Sequence, residues 1–284
     1  MALDATLLLH CPDTKGIVYE VSRFIFSRGG NIIDAQQHRE EIDNRFFMRV
    51  HFDAGDMGMP PAKLREALSA LASQFDMEYR LEFAQERSKL AILVSKYDHC
   101  LYDLLLRARY GELAGDVAIV VSNHGDLDGV ARHFDVPFVH VPVDESGKAA
   151  AEERILGLME ENEIDLIVLA RYMQVLTPVL VEPYKNRIIN VHHGFLPAFQ
   201  GARPYHQAYA RGVKLIGATS HYVTADLDMG PIIEQASVAV NHSHSVKDLI
   251  TMGRDIEKQV LASAVKAHLE SRITVYRERT IVFD

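Results

Sequence analysis

Cysteine is scarce in this chain of 284 residues: only Cys11 and Cys100 occur. Their wide separation offers neither a disulfide framework nor a paired metal half-site, so both are expected to be reduced, buried thiols. Long apolar runs are also missing, and none approaches the ~20 residues that a membrane helix requires. The first ten residues lack the basic region, apolar core and small-residue cleavage site of an export signal. The chain is therefore expected to be soluble and cytoplasmic, with no membrane partner. Basic charge is in deficit, with 30 Lys and Arg against 39 Asp and Glu and a formal net charge of -9. That balance argues against a nucleic-acid partner, because neutralising phosphates needs clustered cations. An acidic ligand would have to meet a local basic patch. Internal repeats and low-complexity segments are absent as well.

What is present is an ordinary globular composition, 48% apolar, in a chain long enough for two domains and a sizeable core. Residues 5–11 form an apolar run suited to a strand, punctuated by Pro12-Asp13-Thr14. Ile17, Val18, Val21, Phe24 and Ile25 then follow at helical spacing, with Gly29-Gly30 as a left-handed stop. Residues 31–40 read as extended, Asp43-Asn44 makes a turn, and Phe46, Met48, Val50 and Phe52 alternate with Phe47, Arg49, His51 and Asp53. Pro60-Pro61 opens a second helix with Leu64, Leu68, Leu71 and Phe75 on one stripe, and Met77, Tyr79, Leu81 and Phe83 alternate after it. The order βαββαβ is that of a ferredoxin-like unit. With Asp13 and Gly16 in its first turn, this unit resembles the ACT domain, a small regulatory module that often binds amino acids.

The polar stretch Gln85-Glu86-Arg87-Ser88 marks a boundary, which divides the chain into an ACT-like domain over residues 1–85 and a second domain over 86–284. In the second domain, residues 90–94, 116–122, 137–143 and 165–170 are continuous apolar runs of the parallel, fully buried type, with helical stretches such as 149–163 between them. The fold class is thus α/β, a ferredoxin-like unit followed by a Rossmann-like, doubly wound sheet. Residues 245–270 read as a long helix, and 273–276 and 280–283 as closing strands.

Ligands of such sheets bind beyond the carboxyl ends of the strands. The most polar strand end is Arg187-Ile188-Ile189-Asn190-Val191-His192-His193. Alternation puts Asn190 and His192 on one side, with Val191 and His193 opposite. A second cluster runs from His221 through Asp226-Leu227-Asp228-Met229-Gly230-Pro231, bringing Asp228 to a place where a carboxylate must be solvated or partnered. His192, His193, His206 and His221 can also be read as a metal cluster. Spacing weakens that reading, since adjacent histidines of a strand face apart and no HExxH pair is present. No metal is expected.

Asn190-Val191-His192-His193-Gly194-Phe195-Leu196-Pro197 resembles the N-x-H-x-S-x-L-P signature of the folate-dependent formyltransferases, and His221 to Ile233 is similar to the H-x-V-x-x-x-x-D-x-G-P-I-I stretch that follows it. Gly194 departs from the serine usual there. The resemblance implies that Asn190 and His192 stabilise the oxyanion formed on a formyl carbon and that Asp228 carries the proton. It also implies that Leu169, Arg171, Met173, Arg203, His206 and His221 bind the substrate. The glycine-rich phosphate-holding turn of the glycinamide ribonucleotide formyltransferases is replaced by Ser95-Lys96-Tyr97-Asp98-His99-Cys100. That departure disfavours a phosphorylated acceptor. Only 56 residues follow Asp228, too few for the tRNA-binding domain of methionyl-tRNA formyltransferases.

Together with the ACT-like unit, these features resemble the formyltetrahydrofolate deformylases. The expected reaction is hydrolysis of 10-formyltetrahydrofolate to tetrahydrofolate and formate without a cofactor, serving one-carbon pools and purine synthesis. Glycine or methionine is the expected effector of the ACT-like unit, in a homo-oligomer. Two alternatives stay open: a formyltransferase with an amine acceptor, and a regulatory protein that senses folate or an amino acid.

Overall fold

A computed structural model describes residues 3–144, 147–197 and 204–284. They group into two compact units. The first contains β1 (Asp4–Pro12), α1 (Ile17–Phe26), β2 (Asn31–Glu40), β3 (Arg45–Asp53), α2 (Pro61–Gln74) and β4 (Glu78–Phe83). Its antiparallel sheet has the order β2-β3-β1-β4. One face carries the core, where Leu7, Leu9, Val50, Phe52 and Leu81 of the strands pack with Val21, Ile25, Leu64 and Leu68 of the helices. The two glycines after α1 divide their work. Gly29 takes φ +86, whereas Gly30 leaves room for Met57 Cε, which an added Cβ would approach to 2.2 Å. Asp13, in the first turn, is engaged by Arg39 at 2.7 Å.

The second unit opens with β5 (Ser88–Val94), α3 (His99–Arg109), β6 (Gly115–Ser122), α4 (Asp128–His133) and β7 (Phe138–His140). It continues through α5 (Lys148–Glu161), β8 (Leu166–Leu169), α6 (Pro178–Val181), β9 (Ile188–His192) and α7 (Pro204–Arg211). β10 (Leu215–Tyr222), β11 (Ile232–Ala239) and α8 (Val246–Leu269) follow, before β12 (Ile273–Tyr276) and β13 (Arg279–Val282). The seven strands lie in the order β11-β10-β9-β8-β5-β6-β7. β5 to β9 are parallel, as their unbroken apolar runs predict. β10 and β11 are antiparallel additions on one side. Alternation along β11 (Ile232–Ala239) is consistent with its half-exposed edge position.

Two expectations need adjustment. The run expected as a strand over 137–143 is a strand only at Phe138–His140, because β6 ends at Ser122, whose carbonyl takes the Val141 N–H as the last bond. The tail does not all belong with the second unit either: residues 270–276 and 281–284 group with the first. The physical reason is apolar, since Phe283, Tyr276 and Ile281 pack on Leu8 and Phe47 on the outer face of the first sheet. Arg49 adds a hydrogen bond from Nε to the Ser271 carbonyl at 3.1 Å.

Candidate active site

The parallel order reverses between β5 and β8, so their carboxyl ends flank the crevice in which open α/β sheets bind ligands. Register then sets three strands side by side: Leu169 pairs with Asn190, and Asn190 with His221. A cavity of about 270 Å³ is lined there by Leu169, Arg171, Met173, Asn190, His192 and His221, with Asp228 from the loop after β10. Its rim carries exposed Met173 and Leu227.

Asn190, His192, His221 and Asp228 come together as one polar group. His192 Nδ1 lies 3.2 Å from Asp228 Oδ2, and His221 Nε2 lies 3.8 Å from Asp228 Oδ1. The side chains of His192 and Asp228 are only 5% and 8% exposed. Burial opposes ionisation of Asp228, yet the hydrogen bond from His192 outweighs it and holds its carboxyl below the usual carboxylate range.

His221 differs in character. Burial pushes its pKa down, against the hydrogen bond to the Tyr222 carbonyl and the charge of Asp228. Its Nδ1 donates to Tyr222 O at 2.9 Å, which leaves Nε2 as the acceptor for the Asn190 side-chain N–H at 3.2 Å. One amide hydrogen of Asn190 is thereby fixed, and the second is aimed away from that bond. Gly230 permits the loop to close on β10, because an added Cβ there would lie 1.7 Å from Tyr222 O.

His193 departs from simple alternation. It lies beyond the end of β9, and its ring stacks on His192 with centroids 5.3 Å apart instead of facing the opposite side. Alternation holds only while the chain remains a strand. Burial, then Arg171, lowers its pKa to about 4. The following backbone is pinned by Thr219, whose Oγ1 accepts from Leu196 N at 3.1 Å and donates to Gly194 O at 3.0 Å.

Beside this group lies a second buried network. Glu257, on the apolar face of α8, accepts hydrogen bonds from His99 Nε2 and Tyr205 Oη, each at 2.8 Å. Burial opposes its ionisation, but His99, Arg171 and Tyr205 overcome that and hold its pKa below the ordinary value. Arg171 Nε stands 3.6 Å from Glu257 Oε2. Arg171 adopts φ 64, a left-handed conformation that costs a non-glycine residue about 1–2 kcal/mol. Tyr97 packs under its guanidinium at 5.0 Å, with Arg254 at 5.7 Å from the same ring.

These contacts fill the turn over residues 95–100 with side chains. Ser95 Oγ donates to Asn123 Oδ1 at 2.7 Å and accepts from Met173 N at 3.0 Å. His99, Cys100 and Glu257 have metal-ligand spacing, but burial pushes the Cys100 thiol up and the Arg171 cation sits against the shared carboxylate. That environment suits donors to Glu257 better than a second cation.

One expected residue falls elsewhere. His206 is exposed on α7 and is not among the residues lining the cavity, whereas its neighbour Tyr205 points to Glu257. Arg203 lies outside the described residues. His99, Tyr205 and Glu257 were not anticipated; an acid within the apolar stripe of a long helix was the available signal for Glu257.

A formyl transferase family model matches residues 88–265, and an ACT domain model matches residues 5–58. The second unit is therefore a formyl transferase domain, with an ACT domain before it. A formyltetrahydrofolate deformylase of Synechocystis sp. is 48% identical over 99% of both chains. One from Bacillus subtilis is 47% identical over 98% of this chain and 93% of its own. The crystal structure of a formyltetrahydrofolate deformylase from Pseudomonas syringae pv. tomato superposes with a TM-score of 0.98 at 44% identity, over 100% of this chain and 95% of that one. The chain belongs to the formyltetrahydrofolate deformylase family. Among the described residues, no helix is long and apolar enough to cross a membrane.

Proposed function

We propose that the chain hydrolyses 10-formyltetrahydrofolate to tetrahydrofolate and formate, with Asn190, His192 and Asp228 as its catalytic residues. The observation that carries this reading is the enclosed meeting of an amide, an imidazole and an ionised carboxylate in one cavity. Water adds to the formyl carbon, and the oxygen that becomes negative is met by the free N–H of Asn190 and by protonated His192. Asp228 takes the proton of the attacking water and returns it as the carbon–nitrogen bond breaks, so that N10 leaves as a neutral amine. A carboxylate of low pKa is a weak base. It suffices here because the water becomes acidic as its oxygen bonds to carbon.

The apolar rim, with Leu169, Met173 and Leu227, suits the flat ring of a folate. Water as acceptor is favoured by the side-chain-filled turn over residues 95–100, which leaves no cradle of backbone N–H groups for a phosphate. The reaction needs no cofactor and no metal. Incubation of the purified protein with 10-formyltetrahydrofolate and no amine tests the reading. Tetrahydrofolate and formate are expected in equal amounts; release only after an amine is added would make the chain a transferase.

The product formate then supplies one-carbon pools and purine synthesis in the cytoplasm, and the ACT domain assembles the chain into a homo-oligomer. Glycine or methionine regulates it through that domain. Calorimetry with each amino acid checks this, and absence of heat from both would leave the ACT domain a structural role.

A further inference from the structure

Arg171 follows the carboxyl end of β8 and Tyr97 follows that of β5, the two strands between which the sheet order reverses. The arginine lines the same cavity as Asn190, His192 and Asp228. Its side chain is 10% exposed, and its enclosed Nε and Nη1 have no hydrogen-bond partner. The Glu257 carboxylate balances the charge from 3.6 Å, beyond hydrogen-bond distance, while its two oxygens accept from His99 and Tyr205. Buried donors left in this way call for an acceptor, and an anionic carboxylate oxygen is the strongest partner that a guanidinium N–H can take.

The proposed hydrolysis generates one such anion inside the cavity. Oxygen from water bonds to the formyl carbon, and the carbon–nitrogen bond breaks with its electron pair going to N10. N10 takes a proton, and the released formic acid gives up its own proton to leave formate. His193 links the two sets of groups: its ring stacks on His192 at 5.3 Å and lies 6.3 Å from that of Tyr205. Burial and the Arg171 charge hold its pKa at about 4, so it stays neutral and does not compete for the anion at neutral pH.

We propose that Arg171 is a product subsite, receiving the formate carboxylate after carbon–nitrogen cleavage while Glu257, His99 and Tyr205 hold the guanidinium in place. This rests on the hydrolytic reading above. The same cation disfavours entry of an ammonium acceptor.

The experiment measures formate binding to the resting full-length protein without folate, by calorimetry with sodium formate at constant ionic strength. One saturable site per chain is expected. R171M should weaken formate at least about tenfold, and R171K less, because a lysine keeps the charge but loses the fixed, planar N–H donors of the guanidinium. Circular dichroism spectra of both variants that match the parent show that the fold is intact. Formate affinity unchanged in R171M, or no saturable formate binding by the parent protein, overturns the subsite. Formate bound through Arg171 by a protein that releases none from 10-formyltetrahydrofolate upholds an anion site but overturns its role as a product site. Hydrolysis without formate binding removes the subsite alone.

Discussion

The side-chain nitrogen of Asn190 sits 3.2 Å from His221 Nε2, and this bond decides which way the amide faces. His221 Nδ1 is already committed to the Tyr222 carbonyl at 2.9 Å, so the neutral ring accepts at Nε2. His221 is in this light a positioning residue for Asn190. H221A should lower kcat by roughly tenfold or more, with the KM for 10-formyltetrahydrofolate little changed. H221Q, whose amide oxygen can accept the same bond, should recover part of the loss. Equal losses of kcat in both variants would remove this role.

The three proposed catalytic groups should each weigh more heavily. N190A and H192A remove oxyanion donors, and D228A removes the proton carrier. Each is expected to reduce turnover by about a hundredfold or more. Steady-state rates with thermal melts on the same samples check this; near-normal rates in all three folded variants would place the chemistry elsewhere.

Gly230 supplies a steric test of the loop that carries Asp228. An alanine Cβ would lie 1.7 Å from Tyr222 O and 3.4 Å from His221 Nδ1, so the loop must move off β10. G230A is expected to lose roughly a hundredfold in turnover through displacement of Asp228, although no reacting group has been altered. Unchanged turnover would mean that the loop position does not set the Asp228 contact.

Acid should destabilise the protein through His193. In the unfolded chain this histidine titrates near 6.5, whereas burial, then Arg171, lowers it to about 4 in the fold. The unfolded state therefore binds the extra proton first. The stability linked to His193 is fully present above about pH 6.5 and is lost progressively as the pH falls toward 4, a loss on the order of 3 kcal/mol. Urea unfolding of the parent and H193Q at several pH values in that window should show a shallower decline for the variant. Parallel declines would mean that His193 carries none of it.

The sequence made the local half of this site readable. Asn190 and His192 share a side by strand alternation, and Asp228 stands out as an acid in a loop bounded by Gly230-Pro231. The parallel strands were readable because each is an unbroken apolar run bounded by turns. What could not be read depends on distant chain segments meeting. Arg171, Glu257, His99 and Tyr205 lie on four separate segments, and only the packing of α3, α7 and α8 turns them into one network. The ring of His193 was misplaced for a simpler reason: the strand stops one residue before it. The grouping of Phe283 with Leu8 and Phe47 is likewise a tertiary fact, with no local pattern to announce it.

The most direct test of the central claim uses water labelled with ¹⁸O. The purified protein is given 10-formyltetrahydrofolate in that solvent with no amine present, and the formate is examined by mass spectrometry. Hydrolysis at the Asn190, His192 and Asp228 site predicts formate carrying one solvent oxygen, formed in step with tetrahydrofolate and abolished in D228A. Unlabelled formate, or none until an amine is supplied, would contradict it.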